Sequence, residues 1–178
     1  TAITVVISSN QLICCNVGDS RAIVFKESVG YYSGTKLSRD HKPTEPDEKS
    51  RIIKNNGRVQ RCYDEQQKKY IGPERVWEKD KEQPGLAMTR SIGDTIAHSV
   101  GVSEVPEIKR FEFDGTEKFI ILASDGIWEY MNKDDCIRIV KKYYESEVGN
   151  AQEIANSLVK EAFRKWRRIE SCIDDITV

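Results

Sequence analysis

Short strand-like runs open this chain and long amphipathic helices close it, an order that favours an α+β fold over the alternating βαβ units of a parallel sheet. Residues 3–7, 11–17 and 21–25 are β-branched or apolar, and the turn-forming cluster Gly18-Asp19-Ser20 between the last two predicts a hairpin within a β-meander. Thr44-Glu45-Pro46-Asp47 reads as a capping box with Asp in the acidic position and Pro46 in the first turn, so a short helix is expected over 45–55, stopped by Asn56-Gly57. Residues 60–84, rich in Lys, Glu, Gln and Pro, read as a long excursion with weak strands around Arg75-Val76-Trp77. Strands are expected at 108–113 and 118–123. Two helices follow. One is capped by Asn132 with Cys136, Ile139, Val140 and Tyr143 inward, the other by Asn150 with Ile154, Leu158, Ala162, Phe163 and Trp166 inward. Cys172 to Val178 reads as a turn entering a last strand. Together these elements suggest an α+β sandwich.

Composition limits the function. With 28 Lys plus Arg against 29 Asp plus Glu, the chain lacks the cationic excess that neutralises nucleic-acid phosphates, and no nucleic-acid partner is expected. No apolar run approaches the ~20 residues of a membrane span. The five cysteines are odd in number and show no C-x-x-C spacing, which points to a reducing, intracellular location rather than to a disulfide framework or zinc. A monomer is the expected state. The chain opens directly on a β-like run without a leader, as a fragment would.

Three acidic positions share one local pattern, an apolar strand running into a tight polar turn: Asp19 in Val17-Gly18-Asp19-Ser20, Asp125 in Ala123-Ser124-Asp125-Gly126, and Asp174 in Ile173-Asp174-Asp175. If those strands are neighbours, their carboxylates converge at one rim, and mutual repulsion calls for a hard divalent cation, magnesium or manganese in preference to zinc. Glu129 lies four residues after Asp125, on the same side of a helical turn if one starts at Gly126. Two adjacent cations could activate water against a phosphate ester. Taken singly, each Asp beside Gly or Ser after a strand reads better as a turn residue, and spacing alone establishes no metal site.

The ordered motifs GDSRA (18–22), LSRDHKP (37–43), RI…GRV (51–59), GLAMTRSIGD (85–94), VPEI (105–108), FIILASDGIWE (119–129) and DDITV (174–178) resemble the metal-dependent serine/threonine phosphatases of the protein phosphatase 2C family. The resemblance covers essentially the whole chain. Gly-Pro-Glu-Arg-Val-Trp (72–77) is similar to the flap of some plant and protozoan members, which makes 45–84 a flap-like excursion within residues 1–178, the C-terminal portion of one catalytic domain. The family implies a layered β-sandwich flanked by helices, here incomplete at the N-terminus, and hydrolysis of phosphoserine and phosphothreonine in proteins by water held at two Mg2+ or Mn2+ ions, without a covalent phosphoenzyme. By motif, Asp125 and Asp174 would be ligands of the core pair. Asp19, with Asp125 and Glu129, would hold a third ion, and Glu129 departs from the Asp of many relatives. The family's Asp-Gly-His-Gly motif, with its bridging carboxylate, and its phosphate-gripping basic residue have no counterpart in these 178 residues. The polypeptide by itself is therefore expected to bind metal weakly and hydrolyse little. No residue here is assigned as a general acid or base. The alternative is a pseudophosphatase or regulatory module that binds phosphoproteins without turnover.

His41 and His98 read as hydrogen-bonded structural residues, Arg21 and Arg90 as architectural, and Trp128 as an anchor for its helix. The run 164–168 reads as a solvated helix face with Trp166 inward. Residues 60–84, with Lys68, Lys69, Tyr70, Arg75 and Trp77, are the candidate for substrate discrimination.

Overall fold

The computed structural model describes residues 1–144 and 150–178. Its elements in order are β1 (Ala2–Ile7), β2 (Gln11–Val17), β3 (Arg21–Ser28), β4 (Tyr31–Lys36), α1 (Pro46–Lys54), β5 (Gly57–Asp64), β6 (Lys69–Glu78), β7 (Pro84–Leu86), α2 (Thr95–His98), β8 (Glu107–Glu112), β9 (Glu117–Ala123), α3 (Asp125–Trp128), α4 (Lys133–Tyr144) and α5 (Ala151–Ile169). The sheets run β1-β2-β8, β4-β3-β9 and β5-β6-β7, and the pairings in the latter two are antiparallel. This is the α+β class that the order of elements predicts. The chain divides into two compact units, one of Thr1–Thr4, Cys15–Asp19 and Arg39–Glu107, the other of Val5–Cys14, Ser20–Ser38 and Ile108–Val178.

In the second unit, β3 lies between β4 and β9, with Arg21 opposite Ala123 and Phe25 opposite Phe119. The two phenylalanine rings stack with centroids 4.6 Å apart, a cross-strand pair of the kind that fixes register. Ile23, Phe25, Ile121 and Ala123 pack with Ile127, Trp128, Cys136, Val140, Leu158 and Ala162 from the helices. Asn132 caps α4 as expected, its Oδ1 accepting from the N–H groups of Asp134 and Asp135. Asn150 and Glu153 form a full capping box on α5. Phe163 is a correction: it is 45% exposed, because the buried stripe runs Leu158, Ala162, Trp166 and position 163 is turned out of it. The Arg167 guanidinium lies 5.8 Å from its ring centroid.

The expected β2–β3 hairpin does not form. β2 pairs within β1-β2-β8, and both edges of β3 are taken by β4 and β9, so Gly18-Asp19-Ser20 carries the chain from one sheet to another. The hairpin in this region closes instead at Val29-Gly30, where both residues have positive φ (51° and 78°), as a type I′ turn requires. A valine there gives no sequence signal, and β4 was not anticipated.

In the first unit the expected helix forms as α1, starting at Pro46 rather than Glu45, and Thr44 forms no capping box. Glu45 is the N-cap without a side-chain bond, and the Asp47 carboxylate is occupied by Arg39, whose Nη1 and Nη2 both donate at 2.8 Å. The segment 60–84 is also corrected. It is mostly the three-stranded sheet β5-β6-β7, with Gly57 opposite Glu78 and a bulge at Arg61/Cys62. Its strand period is masked because long amphipathic side chains cover the half-buried face. The Arg58 guanidinium lies 5.4 Å from the Trp77 ring centroid, and Trp77 Nε1 donates to the Gln60 carbonyl at 2.8 Å. Ile52, Val76, Ala97, Val100 and Val102 form this unit's core.

Beneath that core sits a buried ionic cluster. Glu48 is fully buried and accepts from Arg51 Nη1 and Nη2 (2.8 and 2.7 Å), Arg90 Nη2 (2.7 Å) and Thr89 Oγ1 (2.6 Å). Arg51 and Arg90 in turn donate to the carbonyls of Thr89, Gly101 and Val105. Arg90 is thus architectural, as expected. His41 is buried, and its Nδ1 accepts from the Gly18 N–H at 3.1 Å, which leaves the proton on Nε2. Burial lowers its pKa, so the ring is the neutral structural histidine that the sequence suggested. His98 likewise makes local contacts, to the Ser91 carbonyl and Glu104. All five cysteines are free, and burial pushes the Cys136 thiol up to about 12. Among the described residues no helix is long and apolar enough to cross a membrane.

Candidate metal centre

Asp125 follows β9 after a single residue and opens α3, which Glu129 closes by donating its N–H to the Asp125 carbonyl at 2.8 Å. The turn is clamped from three directions. Trp128 Nε1 donates to the carbonyls of Arg21 and Ala123, both at 3.0 Å, and Trp166 Nε1 donates to the Gly126 carbonyl at 2.7 Å. Trp128 therefore anchors its helix as the sequence suggested, and Trp166 faces inward from the basic run of α5.

The third clamp is the C-terminal segment. Ser124 N–H donates to the Thr177 carbonyl at 3.0 Å, Ser124 Oγ donates to the Asp175 carbonyl at 3.0 Å, and the same Oγ accepts from the Thr177 N–H at 3.1 Å. Residues 173–178 do not form the expected strand; their backbone is held by Ser124 rather than by a ladder. Gly126 makes that contact possible, because a Cβ there would lie 2.3 Å from the Asp175 carbonyl oxygen. Backbone against backbone leaves little room to yield. Gly126→Ala is expected to lift residues 174–177 from the turn and to cost about 1–3 kcal/mol as an overpacking change, read as a lowered urea midpoint and faster amide exchange at Thr177.

The structure thus brings the chain around Asp125 against the chain around Asp174, with Glu129 one turn along α3. Asp174 is exposed, and its Oδ1 accepts from the Asp175 N–H at 2.7 Å. Asp19 belongs to the other unit, where it is buried and paired with Lys42 Nζ at 2.7 Å. The sequence reading missed Lys42 as Asp19's partner, since 23 residues separate them, and missed Ser124 as the residue that holds the tail. Both lie inside motifs already singled out, which is the only signal they carry.

The donors here are carboxylate oxygens, the right kind for a hard divalent cation. In number they fall short: among the described residues no group of three or more His, Cys, Asp or Glu side chains gathers where it could hold one.

Antiparallel sheets with helices, and an acidic turn locked at a strand end, define an α+β domain. A sequence model of the family described as protein phosphatase 2C matches residues 1–168, and the chain belongs to that family. "Probable protein phosphatase 2C 73" of Arabidopsis thaliana is 39% identical over 181 residues, covering 100% of this chain and 46% of the relative. "Probable protein phosphatase 2C 48" of Oryza sativa subsp. japonica is 38% identical over 173 residues, covering 94% and 46%. The chain spans about half the length of the curated relatives it matches. The fold is similar to that in the crystal structure of serine-threonine phosphatase 2C from Toxoplasma gondii, with a TM-score of 0.82 at 23% identity over 98% of this chain and 55% of that one.

Proposed function

We propose that the protein of which this chain forms part is a serine/threonine phosphoprotein phosphatase, with Asp125 and Asp174 among the ligands of two core Mg2+ or Mn2+ ions and with Asp19 and Glu129 at a third. The observation that carries this reading is the docking of residues 175–177 on Ser124 and Gly126, which holds two family-motif aspartates on touching segments. Family membership supports the reaction class. When bound, such cations neutralise phosphoryl charge and lower the pKa of water at the reacting centre.

The chain's own part is positioning. Trp128, Trp166 and Ser124 fix the backbone of the Asp125 turn, so that little backbone freedom is left to lose when its carboxylate is engaged. Lys42 pairs with the buried Asp19 carboxylate at 2.7 Å and fixes its position. The β5–β6 hairpin supports a role in choosing substrate: Tyr63 and Tyr70 are exposed, with rings 5.2 Å apart edge to face, and Lys68 and Lys69 stand between them in sequence.

Since three donors do not gather here, the 178-residue polypeptide is expected to turn over phosphopeptides at no more than background rates. The test is release of phosphate from a phosphoserine peptide in Mn2+ by the complete protein and by the 178-residue chain. Turnover by the complete protein alone is expected. Binding of the phosphopeptide by the complete protein without turnover would replace the reading by a phosphoprotein-binding module, and comparable rates from both would refute the incomplete ligand set.

A further inference from the structure

A cavity of about 550 Å³ opens within the second unit, beside α3, and its rim is unevenly charged. Arg21, Lys36 and Lys133 face it against the single carboxylate of Glu129. The Arg21 guanidinium stands 5.5 Å from the Trp128 ring centroid, an aromatic face that limits its freedom. Lys36 and Lys133 are exposed, and the Lys109 ammonium, bonded to the Lys36 carbonyl at 2.7 Å, adds positive charge at that end of β4. The floor lies at Gly34, opposite Phe25 on β3. A Cβ at Gly34 would come within 3.0 Å of Phe25 and 3.1 Å of Ile23, so the missing side chain belongs to the same face as the cavity's apolar base. A cationic rim over a partly apolar base suits an anionic group carried on an organic chain better than a free inorganic ion, and the volume falls in the roughly 300–1,000 Å³ range of ligand pockets.

Glu129 links this cavity to the candidate centre, because it ends the helical turn that Asp125 begins. One turn of four residues advances about 6 Å, a distance that roughly two extended peptide residues cover. We propose that the cavity is a specificity pocket for a peptide, receiving an acidic or phosphorylated side chain about two or three residues from the phosphoserine being hydrolysed. The placement next to the reacting centre rests on the phosphatase reading; the pocket's anion preference does not.

The complete protein, the double variant Lys36→Glu/Lys133→Glu and the milder Lys36→Gln/Lys133→Gln are compared on phosphoserine peptides whose neighbours at two and three positions are either Glu or Gln. Wild type is expected to show a KM lower by about tenfold for the Glu peptide, an advantage lost in both variants, while kcat for p-nitrophenyl phosphate is unchanged. Calorimetric binding of the same peptides in EDTA tests the pocket without turnover: if wild type hydrolyses nothing yet binds the Glu peptide better in a Lys36- and Lys133-dependent way, the phosphatase reading fails and the pocket's peptide preference stands. An unchanged Glu preference in the variants, an equal weakening of both peptides, or Lys-dependent binding of inorganic phosphate without peptide preference would each overturn the proposal.

Discussion

Asp125→Ala in the complete protein is expected to cut phosphopeptide turnover by about 10³-fold or more, the scale on which several kcal/mol of charge stabilisation act on a rate, while the fold survives. The turn that carries Asp125 is held by Ser124, Gly126, Trp128 and Trp166, whose clamping bonds run through backbone carbonyls, the Ser124 hydroxyl and N–H, and indole N–H groups. Loss of an acidic side chain from the first turn of a helix costs no more than about 1 kcal/mol. Asp174→Ala is expected to behave in the same way. Asp175→Ala is the control, since that residue meets the turn through its carbonyl, and it should keep turnover within a few-fold of wild type. Near-normal activity in Asp125→Ala or Asp174→Ala, measured with the thermal midpoint alongside, removes that carboxylate from the site.

Glu48→Ala should produce the largest loss of stability, about 3–5 kcal/mol, because it leaves Arg51 and Arg90 partly buried without their shared counter-ion. Against a typical total of about 5–15 kcal/mol that is a large fraction. Burial by itself would raise the pKa of Glu48, but the hydrogen bonds from Arg51, Arg90 and Thr89 outweigh it and hold the carboxyl well below its ordinary 4.5. A depressed carboxylate stabilises the fold fully above its unfolded pKa and progressively less below it. The stability of the wild-type protein should therefore fall as the pH drops below about 4.5, and Glu48→Gln should be less stable at neutral pH with a shallower acid limb. Equal urea midpoints for the two proteins at pH 7 would show that the ionic cluster contributes nothing.

The same cluster shows what the sequence could and could not reveal. Strands β1, β2, β3, β8 and β9 are legible because β-branched runs are bounded by turn residues, and α5 because its capping box and apolar stripe agree. β4 escaped notice since Tyr-Tyr-Ser-Gly-Thr-Lys has little apolar alternation and its hairpin turns on Val29-Gly30. The β5–β6 hairpin was hidden by its charged side chains. Arg51 lies three residues after Glu48 on α1, a spacing that helical period reports, but that Thr89 and Arg90 converge on the same carboxylate is a matter of packing across 41 and 42 residues, which no local period reports. At the candidate centre it is resemblance that singles out Asp125 and Asp174, since each turn by itself reads as an ordinary turn. The reason for the neighbouring Ser124 and Gly126 emerges only when the tail is seen lying on them.

Calorimetric titration of Mn2+ into the complete protein, the Asp125→Asn variant and the Asp174→Asn variant asks directly whether those two carboxylates serve one ion. Each substitution should weaken the same binding event to a similar degree, with the folded state intact by circular dichroism. Retention of wild-type binding in either variant, or loss of two separate events that add independently in the double variant, would contradict a shared cation.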